Sequence, residues 1–142
     1  MSHFPRAGAV LLAFGLALTP VAAWSASVAQ RTFDAPLDRV WTVTESVLKS
    51  LGWEVDTFDR AVGWILTDSR TVDFKEFAFY GKGLRQKLRL SFKAVGSSQT
   101  TVWVERDLYQ EERILWMIDR KPVDPTNEAV ETGILDAIQQ GL

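Results

Sequence analysis

The stretch from Phe33 to Ser69, FDAPLDRVWTVTESVLKSLGWEVDTFDRAVGWILTDS, restricts the fold more than any other part of the chain. Leu37, Val40, Trp41, Thr44, Leu48 and Leu51 recur at helical spacing, with Val47 at the edge of the stripe. Asp38, Arg39, Glu45 and Lys49 fall largely outside it. Pro36 suits the first turn, where its missing amide would have no partner, and Asp38 there faces the positive end of the helix dipole. Gly52 suits the left-handed residue that ends many helices. Trp53 to Asp59 and Gly63 to Ser69 then read as two strands joined by Arg60-Ala61-Val62, because Trp53, Val55, Ile65 and Thr67 alternate. Gln30 to Phe33 reads as a short strand before the helix.

Leu84 to Ala94 repeats with period two. Leu84, Leu88, Leu90, Phe92 and Ala94 share one face, with Gln86 the exception. Arg85, Lys87, Arg89, Ser91 and Lys93 share the other. Gly96-Ser97-Ser98-Gln99 is a turn, and Thr100 to Leu108 the return strand, with Val102, Val104 and Leu108 inward and Trp103, Glu105 and Asp107 outward. Matching the faces gives a register whose residue numbers sum to 196, with Arg89 opposite Asp107 and Arg85 opposite Glu111. The basic row is then neutralised by pairs worth about 0.2–1 kcal/mol each. The competing reading of Arg85, Lys87 and Arg89 is a patch for anionic headgroups or an acidic partner.

Arg70 to Gly83 reads as an irregular excursion, with room for a broken strand inside it, closed by a glycine turn at Gly81-Lys82-Gly83. It holds Phe74, Phe77, Phe79 and Tyr80, which either fold over the end of the core or form an exposed apolar patch. Ile114 to Ile118 has no decidable period and reads as a buried edge strand. After the Lys121–Pro125 loop, Asp124 and Pro125 suit the cap and first residue of a last helix over Thr126 to Gln140. Its stripe is Val130, Ile134, Ala137 and Ile138, with Leu135 beside it. Gly133 in mid-stripe implies close approach to the sheet. The sum is one α+β domain over residues 30–142, an antiparallel sheet curled around a C-terminal helix.

Residues 1–29 have the layout of a secretory signal peptide: Arg6, an uncharged apolar run from Ala7 to Leu18, then Pro20 and small residues. That run is about 12 residues, short of the ~20 a membrane-spanning helix needs. Cleavage fits after Ala29 or after Ala23, giving a periplasmic protein. The alternative is an uncleaved N-terminal anchor. The chain has no Cys, so neither a disulfide nor a lipidated leader junction is open to it. The single His, His3, lies in the leader. Past it the usual general base, the Cys nucleophile, Ser-His-Asp arrangements and most zinc or copper sites are missing.

The rest of the chain supplies no catalytic, metal or cofactor motif. Glu111 and Glu112 are adjacent, so on a strand they diverge. Asp56, Asp59 and Asp68 lack calcium-loop spacing. Gly81-x-Gly83 lacks the Lys and Ser/Thr of a phosphate loop. With 15 basic and 18 acidic residues after Ala29, nucleic acid is a poor partner. The expectation is a protein that is not an enzyme and needs no cofactor.

Ala35-Pro36…Val40-Trp41, Leu48-x-x-Leu51-Gly52-Trp53, Gly63-x-Ile65-x-Thr67 and Ile134-Leu135-x-x-Ile138 together resemble the helix-grip domains of BamC, the accessory lipoprotein of the outer-membrane β-barrel assembly machine, and small envelope proteins built like them. The resemblance covers most of Phe33 to Leu142. It implies a β-α-β-β-β-β-(β)-α order and an interaction role in the bacterial envelope, without the lipidated Cys of those lipoproteins. The opening Ala-Pro…Val-Trp also occurs in START-like lipid-binding domains. Two functions are expected on this basis. One is a non-catalytic envelope module that holds a protein partner through Phe74, Phe77, Phe79, Tyr80 or Trp103. The other is a carrier of a small apolar ligand or lipid between sheet and C-terminal helix.

Overall fold

The structure, a computed structural model, describes residues 27–142. The expected signal peptide over residues 1–29 therefore lies outside the described residues except for Ser27, Val28 and Ala29. These three open the first strand, β1 (Ser27–Phe33). Helix α1 (Leu37–Ser50) follows, then β2 (Val55–Asp59) and β3 (Trp64–Thr67). Next come β4 (Arg70–Phe77), β5 (Tyr80–Val95), β6 (Gln99–Ile114) and β7 (Met117–Val123), and the chain closes with α2 (Ala129–Gly141).

All seven strands form one open antiparallel sheet. Its spine is the long β5–β6 hairpin, paired without a register break from Val95↔Gln99 to Tyr80↔Ile114. Each edge of the spine is shared by two shorter strands in line. Along β5, β3 pairs with residues 89–91 and β4 with residues 80–86. Along β6, β1 pairs with residues 100–106 and β7 with residues 108–114. At the change from β3 to β4 the Leu88 amide donates to Thr67 Oγ1 at 2.9 Å, so the ladder continues through a side chain.

The register sums to 194, two less than the faces alone suggested. Faces are unchanged by a shift of two, but partners change. Arg89 lies opposite Glu105, Lys87 opposite Asp107, and Arg85 opposite Tyr109. Of these three cations only Arg85 comes within 4.0 Å of a carboxylate among the described residues, reaching the diagonal Glu111 at 3.8 Å.

The core half of the sheet is covered by the two helices. Val40, Trp41, Thr44, Val47 and Leu48 bury the α1 stripe, and Trp41 packs on Phe92 with ring centroids 4.8 Å apart. Pro36 is the residue before the helix, at φ −67° and ψ 154°, not its first turn. Gly52 ends α1 as the spacing predicts: at φ +78° it lets the Gly52 amide reach Lys49 O and the Trp53 amide reach Leu48 O. That pair of bonds is the Schellman stop. In α2, Ile134, Leu135 and Ile138 are buried, as is Glu131.

The last helix begins later than its cap residues suggest. Asp124 and Pro125 stay in the loop, and Asn127 Oδ1 accepts the Ala129 amide at 3.1 Å instead. Gly133 is not a point of close approach, since a Cβ there would meet open space. The tight contact is at Gly141, where a Cβ would lie 2.7 Å from Val43 Cγ1 of α1.

Candidate interaction surface

Beyond Gln86 the sheet continues without helices. β4, residues 80–87 of β5, residues 107–114 of β6 and β7 form a four-stranded arm. Arg70 to Gly83, expected to be irregular, is a β-hairpin with one bulge. Phe77 pairs with Tyr80 across Ala78-Phe79. Gly81 and Gly83 lie inside β5 and do not form its turn. They make room for β4: a Cβ on Gly81 would press on the Phe74 ring at 2.9 Å, and one on Gly83 would run into the backbone of Asp73 and Phe74. That crowding falls beside the bulge between Thr71 and Asp73.

Ile114 to Ile118, expected to be a buried edge strand, is a second hairpin and is exposed. Ile114 pairs with Met117 across Leu115-Trp116. Two-residue hairpin turns need positive φ at the first central residue and favour Gly, Asn or Asp there. Here that position is Ala78 at φ +22° in one turn and Leu115 at φ +55° in the other. An L-residue with a side chain is strained in this region by about 1–2 kcal/mol. The two turns sit side by side, joined by the Leu115 amide donating to Phe79 O at 2.8 Å.

Together they make an apolar tip. Trp116 is 84% exposed, Phe79 74% and Phe77 66%. Ile114, Leu115, Met117 and Ile118 add exposed aliphatic surface around them. An open depression of about 400 Å³ lies among Ala78, Phe79, Arg113, Leu115 and Trp116. Below the tip the side chains are polar and mostly paired. Arg113 pairs with Glu76. Arg120 Nε donates to Glu111 Oε2 at 2.9 Å. The Tyr80 hydroxyl donates to Glu112 Oε1 at 3.0 Å. Loss of water around the phenol, and after it the Glu112 carboxylate, raises the Tyr80 pKa above its ordinary 10.0.

The sequence candidates therefore separate into three places. Phe77, Phe79 and Tyr80 meet at the tip. Phe74 is half-buried on the opposite face of β4, its ring over Gly81. Trp103 is half-buried on β6 opposite Ser91 and Gln30, about 37 Å along the strands from the Tyr80 row. Leu115, Trp116 and Met117 complete the tip and were hidden by the ambiguous period of their run.

Space between sheet and helices is occupied by Phe33, Trp41, Leu48, Leu90 and Ile138, all essentially buried. Among the described residues, no group of three or more His, Cys, Asp or Glu could hold a metal ion. No helix among them is long and apolar enough to cross a membrane. Compared with known proteins, the chain matches no family model and no curated protein.

Proposed function

We propose that this protein is a non-catalytic interaction module of the bacterial envelope and that the tip of the four-stranded arm is its working surface. One observation carries the reading: two hairpin turns place Trp116, Phe79 and Phe77 in water, side by side, at positions that Ala78 and Leu115 hold in strained backbone. Exposed apolar residues scattered singly need no explanation, but a contiguous cluster marks a surface that is covered in use. Strain retained at the same place supports a role beyond folding. The envelope setting rests on the leader-like residues 1–29 and on the resemblance to BamC-type domains. The carrier reading has less support, because large side chains fill the region between sheet and C-terminal helix and the open depression lies at the tip instead.

The test is fractionation. Expressed as the full chain in a Gram-negative host, the protein is expected to travel with envelope membranes. The double variant Phe79→Ser/Trp116→Ser is expected to shift to the soluble fraction with an unchanged melting temperature. A variant that fractionates like the parent protein removes the tip from function.

A further inference from the structure

With the arm tip as the working surface, the reading on which the inference rests, the charges behind the tip indicate its occupant. Lys75 and Lys82 face each other directly across β4 and β5, on the same side of the sheet. Neither has a carboxylate within 4.0 Å among the described residues. Like charges directly opposite destabilise a strand pair. Glu112, opposite Lys82 on β6 and bonded to the Tyr80 hydroxyl, offsets part of this repulsion, and an external anion would offset the rest. Each lies three residues from the turns, about 10 Å behind the tip. An apolar element resting in a bilayer interface sinks about 5–10 Å, which would bring its flanking cations to the headgroups.

The wider charge distribution points the same way. Residues 70–87 and 107–123, the arm, carry eight basic and six acidic side chains. The other described residues carry seven basic and twelve acidic. Among the described residues the arm is thus net positive and the rest net negative, and the apolar tip lies on the arm. Trp116 and Tyr80 are residue types that settle at membrane–water interfaces.

We infer that the arm tip inserts its aromatic turns into the surface of an anionic lipid bilayer, with Lys75 and Lys82 contacting the headgroups. The occupant is the lipid surface itself. A protein partner at the same tip is the competing outcome of the experiment.

The experiment is co-sedimentation of the purified full-chain product, its mass determined first, with vesicles of phosphatidylcholine alone or mixed with phosphatidylglycerol. Binding is expected to the mixed vesicles and to fall at least tenfold in Phe79→Ser/Trp116→Ser. Lys75→Gln/Lys82→Gln is expected to weaken binding several-fold and to flatten its dependence on phosphatidylglycerol. Circular dichroism melts confirm that both variants fold. Equal binding of the parent protein to pure phosphatidylcholine would overturn the anionic assignment. Binding indifferent to the tip substitutions would overturn insertion, whatever an uncleaved leader contributes. If vesicles are not bound but envelope fractionation still depends on Trp116 and Phe79, the occupant is a protein and only the lipid inference fails. If neither depends on them, the interaction reading fails as well.

Discussion

Arg106 of β6 and Glu131 of α2 meet inside the protein, Nε to Oε1 at 2.9 Å, with the glutamate fully buried. The guanidinium also donates to Asn127 O at 2.7 Å and to Gln86 Oε1 at 3.4 Å. One arginine thus ties the sheet, the loop before α2 and the first turn of α2 together. Glu131 Oε2 has no partner among the described residues, so this group is held by Arg106 and by its place near the helix N-terminus.

Removing one member leaves the other charged and buried. Glu131→Ala is expected to cost about 3–5 kcal/mol in urea unfolding. Replacing both, as Arg106→Met/Glu131→Leu, is expected to cost far less or to raise stability. A single variant that loses under about 1 kcal/mol would mean the pair is hydrated in solution.

The two α2 glycines should respond oppositely to alanine. Gly133 is exposed in the helix interior with open space beyond it, so Gly133→Ala is expected to stabilise by about 0.5–1 kcal/mol. Gly141→Ala places its methyl against Val43 and is expected to lower the melting temperature. Thermal melts of the two single variants check both signs.

Leu115→Gly separates stability from function. Relief of the positive φ is expected to stabilise the fold by up to about 1 kcal/mol, partly offset by glycine's greater freedom when unfolded. Vesicle binding should weaken because apolar tip surface is lost. A variant that is less stable than the parent would show that Leu115 packs more than it strains.

If residues 1–29 hold the expected cleavable leader, a cut after Ala23 leaves β1 whole and a cut after Ala29 does not. A cut after Ala29 would strip Ser27, Val28 and Ala29 from β1, removing their pairing with Arg106, Glu105 and Val104. Ala29 also packs against the core. Intact mass of the exported protein distinguishes the two cuts directly. A product beginning at Gln30 with an unchanged melting temperature would show that this end of β1 contributes little.

Much of the body was legible because its signals are local. The α1 stripe, the Gly52 stop and the β5–β6 alternation each follow from periodicity that burial enforces. The arm was less legible for a physical reason. Its turns carry Ala78-Phe79 and Leu115-Trp116 in place of the Gly, Asn or Asp that announce tight hairpins, while its glycines sit in mid-strand. Apolar residues in a run then imitate a buried strand, since sequence alone does not tell which side of the surface they occupy. Glu131 could have been found: it stands three and four residues before Ile134 and Leu135, a charge at a stripe position. The two-residue register error came from matching faces alone, which leaves every even shift open.

The unbroken pairing of β5 with β6 also sets a distance. From Gln86 to the turn at Phe79 the arm spans about 24 Å of extended strand. Screening by physiological salt decays over about 8 Å. The acidic body is therefore held roughly three screening lengths from whatever the tip touches. A shorter hairpin would bring twelve carboxylates within repulsive range of an anionic surface; at this length the surface meets the arm's own charges, eight basic against six acidic.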